Sequence, residues 1–155
     1  MKYFAPQIIT GSGVLKDRTL QVEDGWITAI EFGASSDAIT LDGVVTPGFV
    51  DIHCHGGGGA YFSNNPELVA ETHFRHGTTS VLASLVTEPI EVLTKQIAKI
   101  LPSIGSGSIK GIHLEGPYLA HTHCGAHDPQ LLRAPKIEEF QKFIDISNDN
   151  IRMVT

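Results

Sequence analysis

Residues 46–59 read TPGFVDIHCHGGGG, and this stretch decides the architecture. It is largely apolar up to Ile52 and ends in the pair His53 and His55, followed by four glycines. An apolar run bounded in this way is typical of a buried strand. Residues two apart in a strand face the same side, so both imidazoles can reach one divalent metal ion while Cys54 points away. The strand-end position and the glycine run favour this interpretation over two unrelated histidines.

Strand-like and helix-like segments alternate along the chain from Val44 onward. This alternation is typical of a parallel sheet with crossover helices. Asn65 is the predicted cap of a first helix that closes at Gly77, and Pro89 opens a second helix. A third helix is expected to bury one face formed by Ile137, Phe140 and Ile144. Before Val44, short strands and an Asp24-Gly25 hairpin signal predict a small β unit. We therefore expect a β segment over residues 1–45 and a catalytic domain over residues 46–155.

The composition excludes several classes of function. The chain has 155 residues with 17 acidic and 11 basic side chains, a net charge of -6, and no cluster of lysine or arginine. We therefore expect no nucleic-acid partner and no membrane partner. The N-terminus lacks a leader pattern and no apolar window is long enough to span a bilayer, so a cytoplasmic protein is expected. The two cysteines, Cys54 and Cys124, are expected to be reduced thiols near a polar site.

A second motif, GIHLEGPY over residues 111–118, places Glu115 at the end of another predicted strand. If both strands belong to one parallel sheet, Glu115 lies at the same rim as the histidine pair. A carboxylate there can complete a zinc or iron site with histidines. His113 shares the face of Glu115, and the sequence leaves open whether it orients Glu115 or packs in the interior.

These motifs together resemble a known family. Residues 46–59 resemble the metal-binding first strand of amidohydrolases. HLEGPY over residues 113–118 and GAHDP over residues 125–129 resemble N-acetylglucosamine-6-phosphate deacetylases in particular. The resemblance implies Glu115 as the principal metal ligand, with His53 and His55 as ligands of the adjacent position. It also implies that His127 and the backbone of Ala126 contact the sugar hydroxyls, and that the cofactor is one or two divalent ions, Zn or Fe.

The resemblance further implies a fold and a reaction. The expected fold class is α/β, the first half of a (β/α)8 metal-dependent hydrolase barrel preceded by a small β-sandwich segment. The expected reaction is hydrolysis of N-acetyl-D-glucosamine 6-phosphate to D-glucosamine 6-phosphate and acetate. The general-base Asp is expected downstream of residue 155, so no catalytic residue is assigned within the chain. The chain is therefore expected to be incomplete and inactive alone, and the full-length protein is expected to be a homodimer acting on a small amino-sugar phosphate.

Two alternatives remain from the sequence. The first is an N-acetylgalactosamine-6-phosphate deacetylase or another amidohydrolase, because the residues that select the sugar epimer are mostly out of view. The second is a truncated, non-catalytic remnant that binds metal or another subunit. The loop pair His121 and His123 repeats the His-x-His spacing, but without a fixed strand face we expect it to be solvent-exposed. Cys124 is either a thiol beside the pocket or a loop cysteine without consequence.

Overall fold

The computed structural model describes residues 1–155, and these residues form two compact units of mixed α/β structure. The first unit comprises Met1–Pro47 and the second Gly48–Thr155. None of the helices has the length and apolarity that crossing a membrane requires.

The first unit is a single five-stranded sheet. Strands β1 (Lys2–Thr10), β2 (Gly13–Glu23) and β3 (Trp26–Phe32) are antiparallel, while the short strands β4 (Ile39–Thr40) and β5 (Val44–Val45) both pair with β1 in parallel. Asp24 and Gly25 have φ values of 50° and 81°, which the tight turn between β2 and β3 requires. The predicted hairpin is thus confirmed. A small core of Ala5, Ile8 and Leu20 holds the unit together.

The second unit contains six strands and three helices. Their bounds are β6 (Phe49–Cys54), β7 (Gly56–Gly57), β8 (Ala60–Tyr61), α1 (Pro66–Phe74), β9 (Thr78–Leu85), α2 (Ile90–Ile100), β10 (Ile109–Leu114), α3 (Ile137–Ile146) and β11 (Ile151–Val154). β6, β9, β10 and β11 form a parallel sheet in the order of the chain, and β7 pairs with β8 in a small hairpin. The predicted alternation of parallel strands and helices is confirmed.

The register of this sheet brings three strand ends to one edge. Cys54 pairs with Ala83, and Leu114 pairs with Leu85, so β6, β9 and β10 finish close together. A residue that follows β10 can therefore contact a residue at the end of β6 even though about 60 positions separate them in the sequence. This edge is the one that the strand-end motifs share.

The first two helices begin as predicted. Asn65 caps α1 by accepting the backbone N–H of Leu68, with Pro66 at the first helical position. Helix α2 follows Pro89, and its residues Leu93, Ile97 and Ile100 are fully buried. These side chains pack with the apolar residues of β9 and β10 into the core of the unit.

Helix α3 corrects one prediction about its buried face. Ile137 is 84% exposed, whereas Phe143 is 1% exposed and is the buried residue of the helix. Phe140 and Ile146 pack beside Phe143 against the core. Apolar residues at 137, 140 and 144 and at 140, 143 and 146 both follow a helical repeat, so periodicity alone did not separate the two faces. Ile137 is the first residue of the helix and does not contribute to the core.

Candidate metal centre

The sheet brings the two sequence motifs together at one edge. His53 is the fifth residue of β6, His55 lies between β6 and β7, and Glu115 follows β10 directly. The backbone N–H of Glu115 donates to the carbonyl of Leu85 at 2.8 Å, which fixes the start of the loop beside β9. Three potential ligands from distant parts of the chain therefore meet on a sheet edge held by backbone hydrogen bonds.

The ligand atoms of this cluster lie within contact distance of one another. Glu115 Oε2 is 3.3 Å from His53 Nε2 and 2.9 Å from His55 Nε2, and the two Nε2 atoms are 3.0 Å apart. Two nitrogen or oxygen ligands on one tetrahedral zinc ion are separated by roughly 3.3 Å. Two imidazoles and a carboxylate are also the donor types that zinc and iron accept. The residues thus fit a divalent metal ion both in spacing and in chemistry.

The neighbouring histidines favour the ionised form of Glu115 despite its partial burial. The carboxylate side chain is 21% exposed, so burial by itself raises its pKa. The charge and hydrogen bond of His53, with the charges of His55 and His127, outweigh that effect and hold the pKa of Glu115 below its ordinary value. A carboxyl group that is ionised at neutral pH is the form that ligates a metal.

His127 lies beside the same carboxylate. Its Nε2 is 3.7 Å from Glu115 Oε2, and its side chain is 13% exposed. On the other side of the ring, Nδ1 lies 2.8 Å from Thr87 Oγ1 and 3.4 Å from the Thr87 backbone nitrogen. Thr87 Oγ1 also lies 3.2 Å from the carbonyl of Glu115 and can donate to it. The neighbouring Ala126 is exposed. Thr87 therefore ties His127 to the strand end that carries Glu115.

His113 packs in the interior. Its side chain is fully buried, Nδ1 lies 2.9 Å from Ser84 Oγ, and Nε2 lies 2.9 Å from Thr155 Oγ1. The ring also meets the His53 ring edge to face at 4.8 Å. Burial, reinforced by the charge of His53 and opposed by that of Glu115, lowers the pKa of His113. His113 thus supports His53 by ring contact, and its nitrogens are bonded to hydroxyl groups.

A second group of potential ligands was not predicted from the sequence. Asp51, Cys54 and His73 each place a ligand atom within 4.8 Å of the others. His73 belongs to α1, and no local motif links it to the other two residues. The supporting hydroxyls of Thr87 and Ser84 were missed for the same reason. Only the packing of separate elements brings these groups together.

The loop between β10 and α3 contains the remaining histidines and the second cysteine. His121 and His123 lie in a single 3-10 turn and are exposed, which confirms that prediction. Cys124 is a free, half-buried thiol. Its sulfur lies 4.0 Å from the carbonyl oxygen of Gly125.

The sequence matches a known family. Residues 44–155 match the profile of the amidohydrolase family. The chain is 33% identical to N-acetylgalactosamine-6-phosphate deacetylase of Escherichia coli O157:H7, over 97% of this chain and 42% of the relative. It is 36% identical to N-acetylglucosamine-6-phosphate deacetylase of Bos taurus, over 72% of this chain and 30% of the relative.

Comparison with solved structures finds deacetylases of the same substrate class. N-acetyl-D-glucosamine-6-phosphate deacetylase from Mycobacterium smegmatis superposes with a TM-score of 0.90 and 37% identity, covering 99% of this chain and 46% of that one. A variant of that enzyme in complex with N-acetyl-D-glucosamine-6-phosphate superposes with a TM-score of 0.86 and 37% identity, covering 99% and 42%. The chain spans less than half the length of these relatives.

Proposed function

This chain belongs to the amidohydrolase family, and we propose that it supplies part of the active site of a deacetylase for N-acetyl-D-glucosamine 6-phosphate. The products are D-glucosamine 6-phosphate and acetate. The observation that carries the proposal is the meeting of His53, His55 and Glu115, whose ligand atoms lie no more than 3.3 Å apart. Relatives of 33% to 37% identity whose names describe amino-sugar-phosphate deacetylases supply the substrate class.

Glu115 is the proposed principal ligand, and His53 and His55 are the proposed ligands of the adjacent metal position. A divalent ion held by these residues would lower the pKa of bound water towards about 7 and polarise the amide carbonyl. Glu115 contributes a negative charge that is partly shielded from solvent. The His113 ring keeps His53 in place through an edge-to-face contact, so that His53 enters the site with its orientation already fixed. Zn and Fe both suit this set of donors.

His127 and the backbone of Ala126 are the proposed contacts for the sugar hydroxyls. The half-buried His127 ring presents Nε2 towards Glu115 while Thr87 holds Nδ1. Because the hydrogen bond at Nδ1 already orients the ring, Nε2 can bind a hydroxyl at little further cost in side-chain entropy. This arrangement supports a substrate that lies across the strand ends with its acetamido group at Glu115.

The four parallel strands support a larger architecture. We propose that β6, β9, β10 and β11 with their helices are the first half of a (β/α)8 barrel, forming a catalytic domain from residue 46. The sheet of residues 1–45 is proposed to contribute to a small β-sandwich. The general-base Asp is proposed to come from another part of the complete protein, which we further propose to be a homodimer; sedimentation of the complete protein tests this last proposal.

The proposed reaction is tested by measuring acetate release from N-acetyl-D-glucosamine 6-phosphate by the complete protein, with Zn or Fe added. We expect turnover in the wild type and a loss of at least about 100-fold in Glu115→Gln, which keeps the size of the side chain but removes the charge. Absence of acetate release from a folded, metal-loaded wild type would refute the proposal.

An epimeric substrate is the second candidate. The E. coli relative of 33% identity is named an N-acetylgalactosamine-6-phosphate deacetylase. The same assay with N-acetyl-D-galactosamine 6-phosphate in parallel decides between the two sugars. A higher kcat/KM for the galactosamine epimer would transfer the proposal to that substrate while leaving the metal site unchanged.

A further inference from the structure

A second cluster of ligand atoms lies between β6 and α1. The sulfur of Cys54 is 3.1 Å from His73 Nε2, and the carboxylate of Asp51 lies within 4.8 Å of both. Cys54 is 7% exposed. A sulfur and a nitrogen on one tetrahedral zinc ion are separated by roughly 3.5 Å. Small side-chain rotations would therefore place all three atoms around a single ion.

The backbone provides a fourth donor and the space for the cluster. The carbonyl oxygen of Gly56 lies 3.0 Å from His73 Nε2 and 3.6 Å from the sulfur of Cys54. A Cβ on Gly57 would come within 2.8 Å of His73 Nε2, so the glycine leaves room for the imidazole. Thiolate, imidazole and carboxylate are the ligand types that zinc takes, and the Gly56 carbonyl lies beside two of these three groups.

The charges around the cluster favour a cation. No lysine or arginine lies within ion-pair distance of Asp51, whose carboxylate accepts only the backbone N–H of His53. A divalent ion would offset the negative charge of the Asp51 carboxylate, and metal binding releases the proton of a ligating thiol to solvent.

We propose that Asp51, Cys54 and His73 form a second divalent-metal site, distinct from the His53, His55 and Glu115 cluster and selective for thiophilic ions such as Zn²⁺. Cys54 lies on β6 and His73 on α1, so a bound ion would join the strand that carries His53 to helix α1. Cys54 is buried and Asp51 and His73 are partly buried, so an ion held there would act on the structure, while the His53, His55 and Glu115 cluster remains open to substrate.

The test uses Co²⁺ as a spectroscopic probe of the metal-free complete protein. A thiolate bound to Co²⁺ gives a near-ultraviolet charge-transfer band, which imidazole and carboxylate ligands do not give. We expect the band in the wild type and in the double variant His53→Ala and His55→Ala. We expect it to be lost in Cys54→Ser and kept in Cys124→Ser, the control for the other thiol. His73→Gln should weaken Co²⁺ binding at the band by about 10- to 100-fold.

The outcomes separate this proposal from the proposed function. Absence of the band in the wild type would show a hydrogen-bonded cysteine–histidine pair only, and a band lost in Cys124→Ser but kept in Cys54→Ser would also refute the site. If Cys54→Ser does not fold, the affinity of His73→Gln decides the matter, because an unchanged affinity overturns the proposal. Acetate release plays no part in the readout.

Discussion

The two sides of β6 carry contrasting sets of ligands. His53 and His55 meet Glu115, which follows β10 two strands away, and their side chains are 45% and 31% exposed. Cys54, between them in the sequence, is 7% exposed and meets His73 of α1. The first set offers nitrogen and oxygen donors open to a substrate, and the second adds a thiol that no substrate can reach. Strand alternation thus places the Cys54 thiol on the side opposite to the His53 and His55 imidazoles, while Asp51 approaches Cys54 where the register of β6 is irregular.

Removing the exposed set should have the largest effect on activity. In the double variant His53→Ala and His55→Ala, we expect acetate release by the complete protein to fall by about 100-fold, because the proposed metal position would lose both its imidazoles. Metal content measured by elemental analysis should fall in the same variant.

The control for this prediction lies on the opposite side of the strand. Cys54→Ser should reduce acetate release much less than the histidine double variant, since its side chain does not reach the substrate side. Equal losses in the two variants would contradict the separation of the two sides.

Adding a side chain at Gly57, beside His73, should reduce the stability of the protein. In Gly57→Ala, the new Cβ would meet His73 Nε2 at 2.8 Å and displace the ring from Gly56 and Cys54. We expect the free energy of unfolding to fall by about 1–3 kcal/mol. Thermal or urea unfolding measures the change.

Gly107→Ala is the matched control, because an added Cβ there meets no atom within 4 Å and its φ is not in the left-handed region. Its effect should stay within about 0.5 kcal/mol. Similar unfolding curves for the two alanine variants would show that the space at Gly57 does not matter.

A smaller effect is expected when His127 loses the hydroxyl of Thr87. Thr87→Val keeps the shape of the side chain but removes the hydroxyl that lies 2.8 Å from His127 Nδ1. We expect KM to rise by about 10-fold, the equivalent of one lost hydrogen bond, with a lesser change in kcat. Thr87→Ser restores the hydroxyl and should restore KM. A fall in kcat alone would argue against a positioning role for Thr87.

The exposed set was largely predictable from the sequence, whereas its surroundings were not. Strand periodicity places His53 and His55 on one face, and a parallel sheet brings Glu115 to the same edge, so two local rules suffice. The contact of Cys54 with His73 depends on how α1 rotates over the sheet, which side-chain packing determines. The same limit explains α3, where two apolar faces were compatible with the sequence and the core selected the one with Phe143.

The smallest effect is expected for the histidine pair that shares the spacing of His53 and His55 but not their backbone. His121 and His123 lie in an exposed 3-10 turn, where residues two apart do not share a face as they do in a strand. The double variant His121→Ala and His123→Ala should leave metal content and acetate release unchanged and shift stability by no more than about 0.5 kcal/mol. Loss of a bound ion in this variant would mean that spacing alone, without a strand to align the imidazoles, is enough to build a site.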